Sequence, residues 1–464
     1  MSARPRAIVI GGGVSGIAAA AALADAGREV RLLERRAFLG GRAYSFTDRA
    51  TGDEVDNGQH VLLGCCTNAR DVLARLSVGS LVDWYDRFHY LLPGGRRCDL
   101  GRASLPAPLH YLPGLLGWKA LPFRDRLGVV RAFAALMFTG RARREIAARA
   151  PFSAWLARRH PSALARSRFW APIIEGAVNE TLDRAAGGPC LQVFLEAFMA
   201  HRDAARMGVP KLGLTRLVAP GAERYLEASG GRVRTRARVA ALRVEAGRIA
   251  AARLADGEEI AGDEFVVALP PNALDGLAVE GGAPLRETRT GDEFAYSSIT
   301  GIHLWLDRRV TELPHGALLD SPIHWFFDRP SAADGVGQRL ALVVSASRSL
   351  EDRGQAEIAT LAEAELRRFL PGMEGARVLH HVVVKETRAT FSATPGIEAM
   401  RPGPATPHAN AVLAGDWTDV GWPSTLEGSI RSGRLAAGAL LGRGRELLTP
   451  DLAPGPLARL LVRT

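Results

Sequence analysis

The sequence predicts an α/β fold from three observations. An apolar run ends in a glycine-rich turn, a second strand ends in a carboxylate, and two later apolar strands end at Pro-Pro and at Gly-Asp. Ala7-Ile8-Val9-Ile10 has no polar interruption, as a strand buried on both faces of a parallel sheet requires. It leads into Gly11-Gly12-Gly13-Val14-Ser15-Gly16, a G-x-G-x-x-G turn. Gly11 serves the tight turn, Gly13 the close approach of a pyrophosphate, and Gly16 the packing of helix on sheet. Val14 and Ser15 open a helix rich in alanine that runs to about Ala26, and its free N–H groups and dipole face the phosphates. Gly27 stops the helix. Arg28 to Glu34 is the second strand, and Glu34 lies 18 residues after Gly16, where a carboxylate accepts the ribose hydroxyls and repels a 2′-phosphate. At this level NAD and FAD both satisfy the pattern, in a Rossmann-type domain.

Length and composition bound the rest. A chain of 464 residues with 47% hydrophobic and 23% charged residues is globular and holds two or three domains. The formal net charge of +10 raises nucleic acid or an anionic membrane as partners. Only three of the 59 basic residues, Lys119, Lys211 and Lys385, are lysines, a pattern of codon choice. No nucleic-acid motif accompanies the charge, so no nucleic-acid partner is expected. Cys65, Cys66, Cys98 and Cys190 show neither a disulfide framework nor metal spacing; a reducing cytoplasm and no metal are expected. Arg4 and Arg6 before the uncharged run to Ala24 imitate a signal peptide, but the run is too weakly apolar and is accounted for by the glycine turn.

Arg35-Arg36-Ala37-Phe38-Leu39-Gly40-Gly41-Arg42 adds a second glycine pair and an arginine that a simple NAD domain does not need. With Ala411 to Asp416 and the following WTDVGWPSTLEGSIRSG, this segment resembles the flavin-containing amine oxidase and phytoene desaturase superfamily. The resemblance implies a glutathione-reductase-like FAD domain with an interleaved α+β substrate domain. It places Arg35, Gly41 and Arg42 near the FAD phosphates, Gly415 and Asp416 at the ribityl and pyrophosphate region, and Thr425, Leu426 and Ser429 at a helix start aimed at the isoalloxazine. Arg232 to Val239 alternates strictly and reads as a strand with four arginines on its solvated face; the resemblance sets Val239 against the adenine. No cysteine follows Cys190, so FAD is expected to be held non-covalently.

Asp56-Asn57-Gly58-Gln59-His60, Phe169-Trp170-Ala171-Pro172 through Asn179, and Thr394-Pro395-Gly396, Arg401-Pro402 and Ala414 to Thr418 resemble, more narrowly, the hydroxysqualene dehydroxylase family. Glu175 departs from that pattern, which has a small or apolar residue there. The resemblance implies reductive removal of the allylic hydroxyl of hydroxysqualene, in bacterial hopanoid or squalene synthesis, with reduced FAD as donor. The chemistry needs a hydride and a proton for the departing hydroxide. His60, whose ordinary pKa lies nearest neutrality, is the candidate acid. Gly58, Gln59 and His60 are expected at the flavin edge, with Gln59 orienting the hydroxyl or the flavin and Asp56 fixing the turn. Related amine oxidases place a lysine beside the flavin, which nominates Lys385 or Lys211. A desaturase acting on a polyene, an amine oxidase and a catalytically silent scaffold are the competing functions.

The expected flavin domain comprises residues 1–85, 206–285 and 395–445, the substrate domain 86–205 and 286–394, and a tail 446–464. Leu105 to Phe123, apolar with four prolines, and the helix from Leu127 to Phe138 suit a polyprenoid tunnel or, with arginines up to Arg144, a cytoplasmic membrane-surface contact over residues 105–144. One dinucleotide fingerprint leaves the electron donor open between nicotinamide and a partner protein.

Overall fold

The computed structural model describes residues 4–286 and 294–462, apart from the side chains of residues 141 and 142. Residues 463–464 of the expected tail lie outside these, as does the side chain of Arg141 in the expected surface segment.

A five-stranded parallel sheet runs in the order Arg232–Arg234, Glu29–Leu33, Arg6–Ile10, Glu264–Val267, Ala411–Leu413. The four apolar strands read from the sequence are all here, and the period of two divides their side chains between two cores. Ala7, Val9, Val30, Leu32, Val266 and Val412 face the helices Val14–Asp25, Leu214–Ala228 and Leu426–Leu440. Ile8, Ile10, Leu33, Phe265 and Leu413 face the opposite way, onto Leu242, Ile249 and Leu254 of a four-stranded sheet. Small residues let the helices Val14–Asp25 and Leu426–Leu440 touch: a Cβ on Gly433 would lie 2.1 Å from the Ser15 carbonyl oxygen.

The strand expected over Arg232 to Val239 is interrupted. It pairs only over Arg232–Arg234, turns at Arg236 (φ 55°), and resumes as Val239–Glu245 in the four-stranded sheet. The break carries the chain from one sheet to the other while Arg236 and Ala237 donate N–H groups to the carbonyls of Arg36 and Glu34 at 2.8 Å.

A seven-stranded sheet takes its strands from residues 87–101 and 296–391. One face, with Ile302, Leu304, Phe326, Leu342 and Val383, packs on the helix Gln355–Phe369. The other presents Ile299, Gly301, His303 and Trp305 to the segment Asp53–Gly58: Trp305 Nε1 donates to Asp53 at 2.7 Å, and His303 Nε2 lies 2.9 Å from the Asp56 carbonyl. Helices between Leu109 and Ala200 gather Phe133, Phe152, Phe169, Trp170, Phe194 and Phe198 into one aromatic cluster.

The described part of the segment after 445 is docked on the body of the fold. Asp451 pairs with Arg431, Gly455 N–H donates to the Ala200 carbonyl at 3.0 Å, and Ala458 is fully buried. Among the described residues no helix is long and apolar enough to cross a membrane, and no His, Cys, Asp and Glu group is placed to hold a metal.

Candidate flavin site

The glycine turn has the geometry its spacing predicts. Gly11 takes φ 106°, and a Cβ there would lie 2.4 Å from the Ala268 carbonyl oxygen, while one on Gly16 would lie 1.9 Å from the Gly11 oxygen. Gly13 is different, because its Cβ direction is open apart from the Gly41 Cα at 3.8 Å. The second glycine pair folds back on the first: Gly40 N–H donates to the Gly12 carbonyl at 2.8 Å, and Gly41 takes φ 63°. The result is a shallow backbone trough between Gly13 and Gly41. The helix Val14–Asp25 enters it with no side-chain cap and no acid in its first turn, and Ser15 Oγ is buried there without a partner. Uncapped N–H groups, a positive helix end and an orphaned hydroxyl are the donors a pyrophosphate takes up, so the residues present fit a dinucleotide.

Glu34 stands at the end of its strand, buried, and accepts from Gly12 N–H and Arg36 N–H at 2.7 Å each. Each oxygen keeps a lone pair for a ribose hydroxyl. Arg35 is exposed, and its neighbour Arg36 turns inward instead, donating to the Gly41 carbonyl at 3.0 Å with its guanidinium 5.1 Å from the Tyr44 ring centre. Val239 is half-buried just beyond the turn that bonds Glu34.

Arg42 forms an ion pair with Asp416, and its other nitrogen donates to the Ala389 carbonyl at 3.0 Å. Burial alone would raise the Asp416 pKa; the Arg42 charge and the Ser424 and Arg42 hydrogen bonds outweigh it and hold the carboxyl below its ordinary range. Asp416 is therefore a fixed acceptor at neutral pH. Gly415 N–H donates to Ser432 Oγ at 2.7 Å, and Thr425 caps the helix Leu426–Leu440, accepting Gly428 N–H at 3.2 Å, so Leu426 and Ser429 lie in the first turn of a helix that packs on Val14–Asp25. Buried Arg401 fastens this loop, donating to the carbonyls of Asp416, Thr418 and Trp422. It was legible only as the Arg-Pro pair at 401–402, with nothing local to announce its role.

The D-N-G-Q-H segment crosses the seven-stranded sheet beside this trough. Asp56 caps the helix Leu214–Ala228 through the Leu214 N–H at 2.9 Å and accepts the Ser45 hydroxyl at 2.7 Å, a structural role. Asn57 Nδ2 donates to the Arg42 carbonyl at 2.8 Å. Gly58 packs on Ile299, Gln59 Nε2 donates to the His60 carbonyl, and Gln59 Oε1 is buried without a partner. His60, expected to be the acid, corrects that expectation. Its Nδ1 is held at 2.8 Å by the Gly58 carbonyl, and its ring lines an apolar cavity of about 30 Å³ with Val14, Ile17, Leu426 and Ile430. Burial pulls its pKa below the ordinary histidine value, so it is neutral at pH 7 and carries no proton to give as an imidazolium.

Neither lysine belongs to the site. Strand alternation turns Lys385 to the same face as Val383, where its ammonium is held by the carbonyls of Glu351 and Arg353 at 2.7 and 2.9 Å; its neighbour Glu386 faces the trough and accepts the Tyr44 hydroxyl at 2.9 Å. Lys211 pairs with Asp83 at the surface. Around the loop, the Trp417 indole is spent on the Leu269 carbonyl at 2.9 Å and Trp422 lies under Arg431, so the two do not form an amine cage.

A parallel sheet, a doubled glycine trough and an arginine-held aspartate at the second helix define a flavoenzyme, and comparison with known proteins gives its family. The family model described as flavin containing amine oxidoreductase matches residues 14–441, and the chain belongs to that family; it is a flavin-dependent oxidoreductase. Among individual proteins it is similar to the hydroxysqualene dehydroxylase of Rhodopseudomonas palustris, at 29% identity over 94% of this chain and 98% of that one. It is also similar to the 15-cis-phytoene desaturase of Synechococcus elongatus, at 26% identity over 95% of this chain and 97% of that one. A solved putrescine oxidase variant shares the fold with a TM-score of 0.71 at 18% identity, covering 95% of this chain and 99% of that one.

Proposed function

We propose that the protein is an FAD-dependent hydroxysqualene dehydroxylase, reducing the allylic alcohol to squalene and water in bacterial hopanoid or squalene synthesis. The observation that carries this reading is end-to-end similarity to a hydroxysqualene dehydroxylase, with 98% of that relative covered. The aromatic cluster between Phe133 and Phe198 supports an apolar, polyprenoid substrate. Non-covalent attachment is supported by the cysteines: Cys65, Cys98 and Cys190 are buried, and none lies in the 415–429 loop.

When bound, the flavin supplies hydride chemistry. Gly13, Gly41 and the first turn of Val14–Asp25 would hold its pyrophosphate, Glu34 the ribose, and Arg42 and Asp416 the ribityl end. Gly58 and Gln59 would border its ring, with Gln59 Oε1 free to accept.

We further propose a peripheral site at the inner face of the membrane, consistent with a lipid-soluble substrate. Leu105, Phe123 and Phe138 within 105–144, and Ile146 just after it, are exposed beside arginines. The test is incubation of purified enzyme with hydroxysqualene under reducing conditions, with and without NADPH. Squalene formation supports the reading. No squalene, together with turnover of phytoene, favours a desaturase, the reading that similarity to the cyanobacterial phytoene desaturase keeps in play.

A further inference from the structure

With His60 neutral and bonded to backbone, the dehydroxylation reading lacks a proton donor, and the structure offers one in a place the resemblance does not provide. Glu175 lies on the helix Ala171–Val178, and its Oε2 is 3.5 Å from His324 Nε2. Among the described residues His324 is its one ion-pair partner; no arginine or lysine reaches it. Five residues on, Glu180 is treated in the opposite way: fully buried, it is bound by Arg348 through both oxygens, by Arg184 and by Ser392.

Two chains of contact place Glu175 at the flavin side of the substrate sheet. Ser345 N–H donates to His324 Nδ1 at 3.3 Å, Ser345 is the register partner of Ile299, and Ile299 packs on Gly58. Asn179, one helical turn after Glu175 and on the same face, donates to Thr390 Oγ1 at 2.9 Å, and the carbonyl of the adjacent Ala389 holds Arg42. Asn179 also accepts Ala346 N–H at 2.7 Å and takes the left-handed conformation that ends the helix, so the Glu175 turn is pinned to the strand Val378–Phe391 and to the end of the strand Gln338–Ser345.

The Ser345 N–H fixes the histidine tautomer. With Nδ1 accepting, the ring hydrogen sits on Nε2, the nitrogen that lies 3.5 Å from Glu175 Oε2. Burial first, and then the charge of Glu180, push the Glu175 pKa up to about 7. Burial pulls His324 down to about 4, so the histidine stays neutral. The groups that face Glu175 are His324 from the start of its strand and Glu180 from the next turn, itself neutralised by Arg348 and Arg184.

We propose that Glu175, oriented by His324, is the proton donor to the leaving hydroxyl; this rests on the dehydroxylation reading above. The carbon–oxygen bond breaks, the hydroxyl oxygen takes the Glu175 proton and departs as water, and the allylic carbon receives a hydride from reduced flavin, which is thereby oxidised. Glu175 is left as a carboxylate and is reprotonated from solvent, to which its side chain is 19% exposed.

The experiment uses flavin-loaded enzyme, wild type, Glu175→Gln, Glu175→Asp and His324→Phe, with flavin absorbance confirming equal loading. Wild-type kcat on hydroxysqualene should fall as pH rises through about 7. Glu175→Gln should lose about 100-fold or more in kcat and lose that limb, with part restored in Glu175→Asp. His324→Phe replaces the polar ring beside the carboxyl with an apolar one and should move the limb to higher pH. Independently of turnover, difference infrared spectra should show a carboxylic-acid carbonyl band that titrates near neutrality and is missing in Glu175→Gln. Glu175→Gln activity within a few-fold of wild type with the same pH limb, or no such band, overturns the assignment. A wild type that forms no squalene overturns the reading and the assignment together.

Discussion

Asp416 and Glu175 are carboxyl groups on the two sides of one site. The cofactor side surrounds its carboxylate with cations and donors: Arg42, Ser424 and a loop clamped by Arg401. The substrate side leaves Glu175 desolvated beside a neutral histidine and the Glu180 charge. The first arrangement keeps a charge in place whatever the pH near neutrality, which suits holding a cofactor. The second makes protonation inexpensive, which suits a group that must gain and lose a proton. Glu180, five residues after the second and built like the first, shows that the difference lies in the partner and not in the segment.

This contrast can be broken most severely at the trough. Gly16→Val cannot keep the turn, since even a Cβ would lie 1.9 Å from the Gly11 oxygen; the purified variant should carry no flavin absorbance. Next in size is Arg348→Met, which takes the bidentate partner from the fully buried Glu180 and leaves it only Arg184 and hydrogen bonds; it should cost up to about 3–5 kcal/mol, read from thermal or denaturant unfolding. Glu180 is held below its ordinary range because Arg348 and Ser392 outweigh burial. Its contribution is therefore complete above the ordinary glutamate pKa and is lost as pH falls through the lowered value. The Arg348→Met penalty should accordingly shrink in acid. His60→Ala should reduce turnover less than about 10-fold and leave the pH profile unchanged, since a neutral ring bonded to backbone supplies no proton. Tyr44→Phe, which removes one hydrogen bond to Glu386, should cost about 1 kcal/mol with flavin retained. Smallest of all, Lys385→Met should change stability by less than about 1 kcal/mol and leave flavin content and kcat unaltered.

The two sides of the site also differ in how much of them could be read in advance. The trough is made of backbone, and backbone geometry leaves local marks: glycines where φ is positive or where a Cβ would collide, an apolar run before them, an acid at a set distance after them. Gly11, Gly13, Gly16 and Glu34 were read from such marks, while Gly41, Arg42 and Asp416 came only with the family resemblance. Arg36 in place of Arg35 was a matter of one residue and of which way a side chain turned. On the substrate side the marks mislead. His60 and Lys385 were nominated by residue type, but a histidine's pKa and a strand lysine's direction depend on what packs against them. Glu175 was visible only as a departure from a pattern, and His324, 149 positions away, not at all.

The sequence by itself determined the parallel sheet and the dinucleotide turn, because each rests on short-range periodicity and on positions where glycine is needed, and its resemblance to known flavoproteins supplied the flavin family. The tertiary structure decided which carboxylates stay charged, which face Lys385 and Glu386 take, and that the stretch from Asp451 to Ala458 docks onto the fold. Those outcomes depend on desolvation and on partners brought together from distant segments, and neither is encoded in any local stretch of the chain.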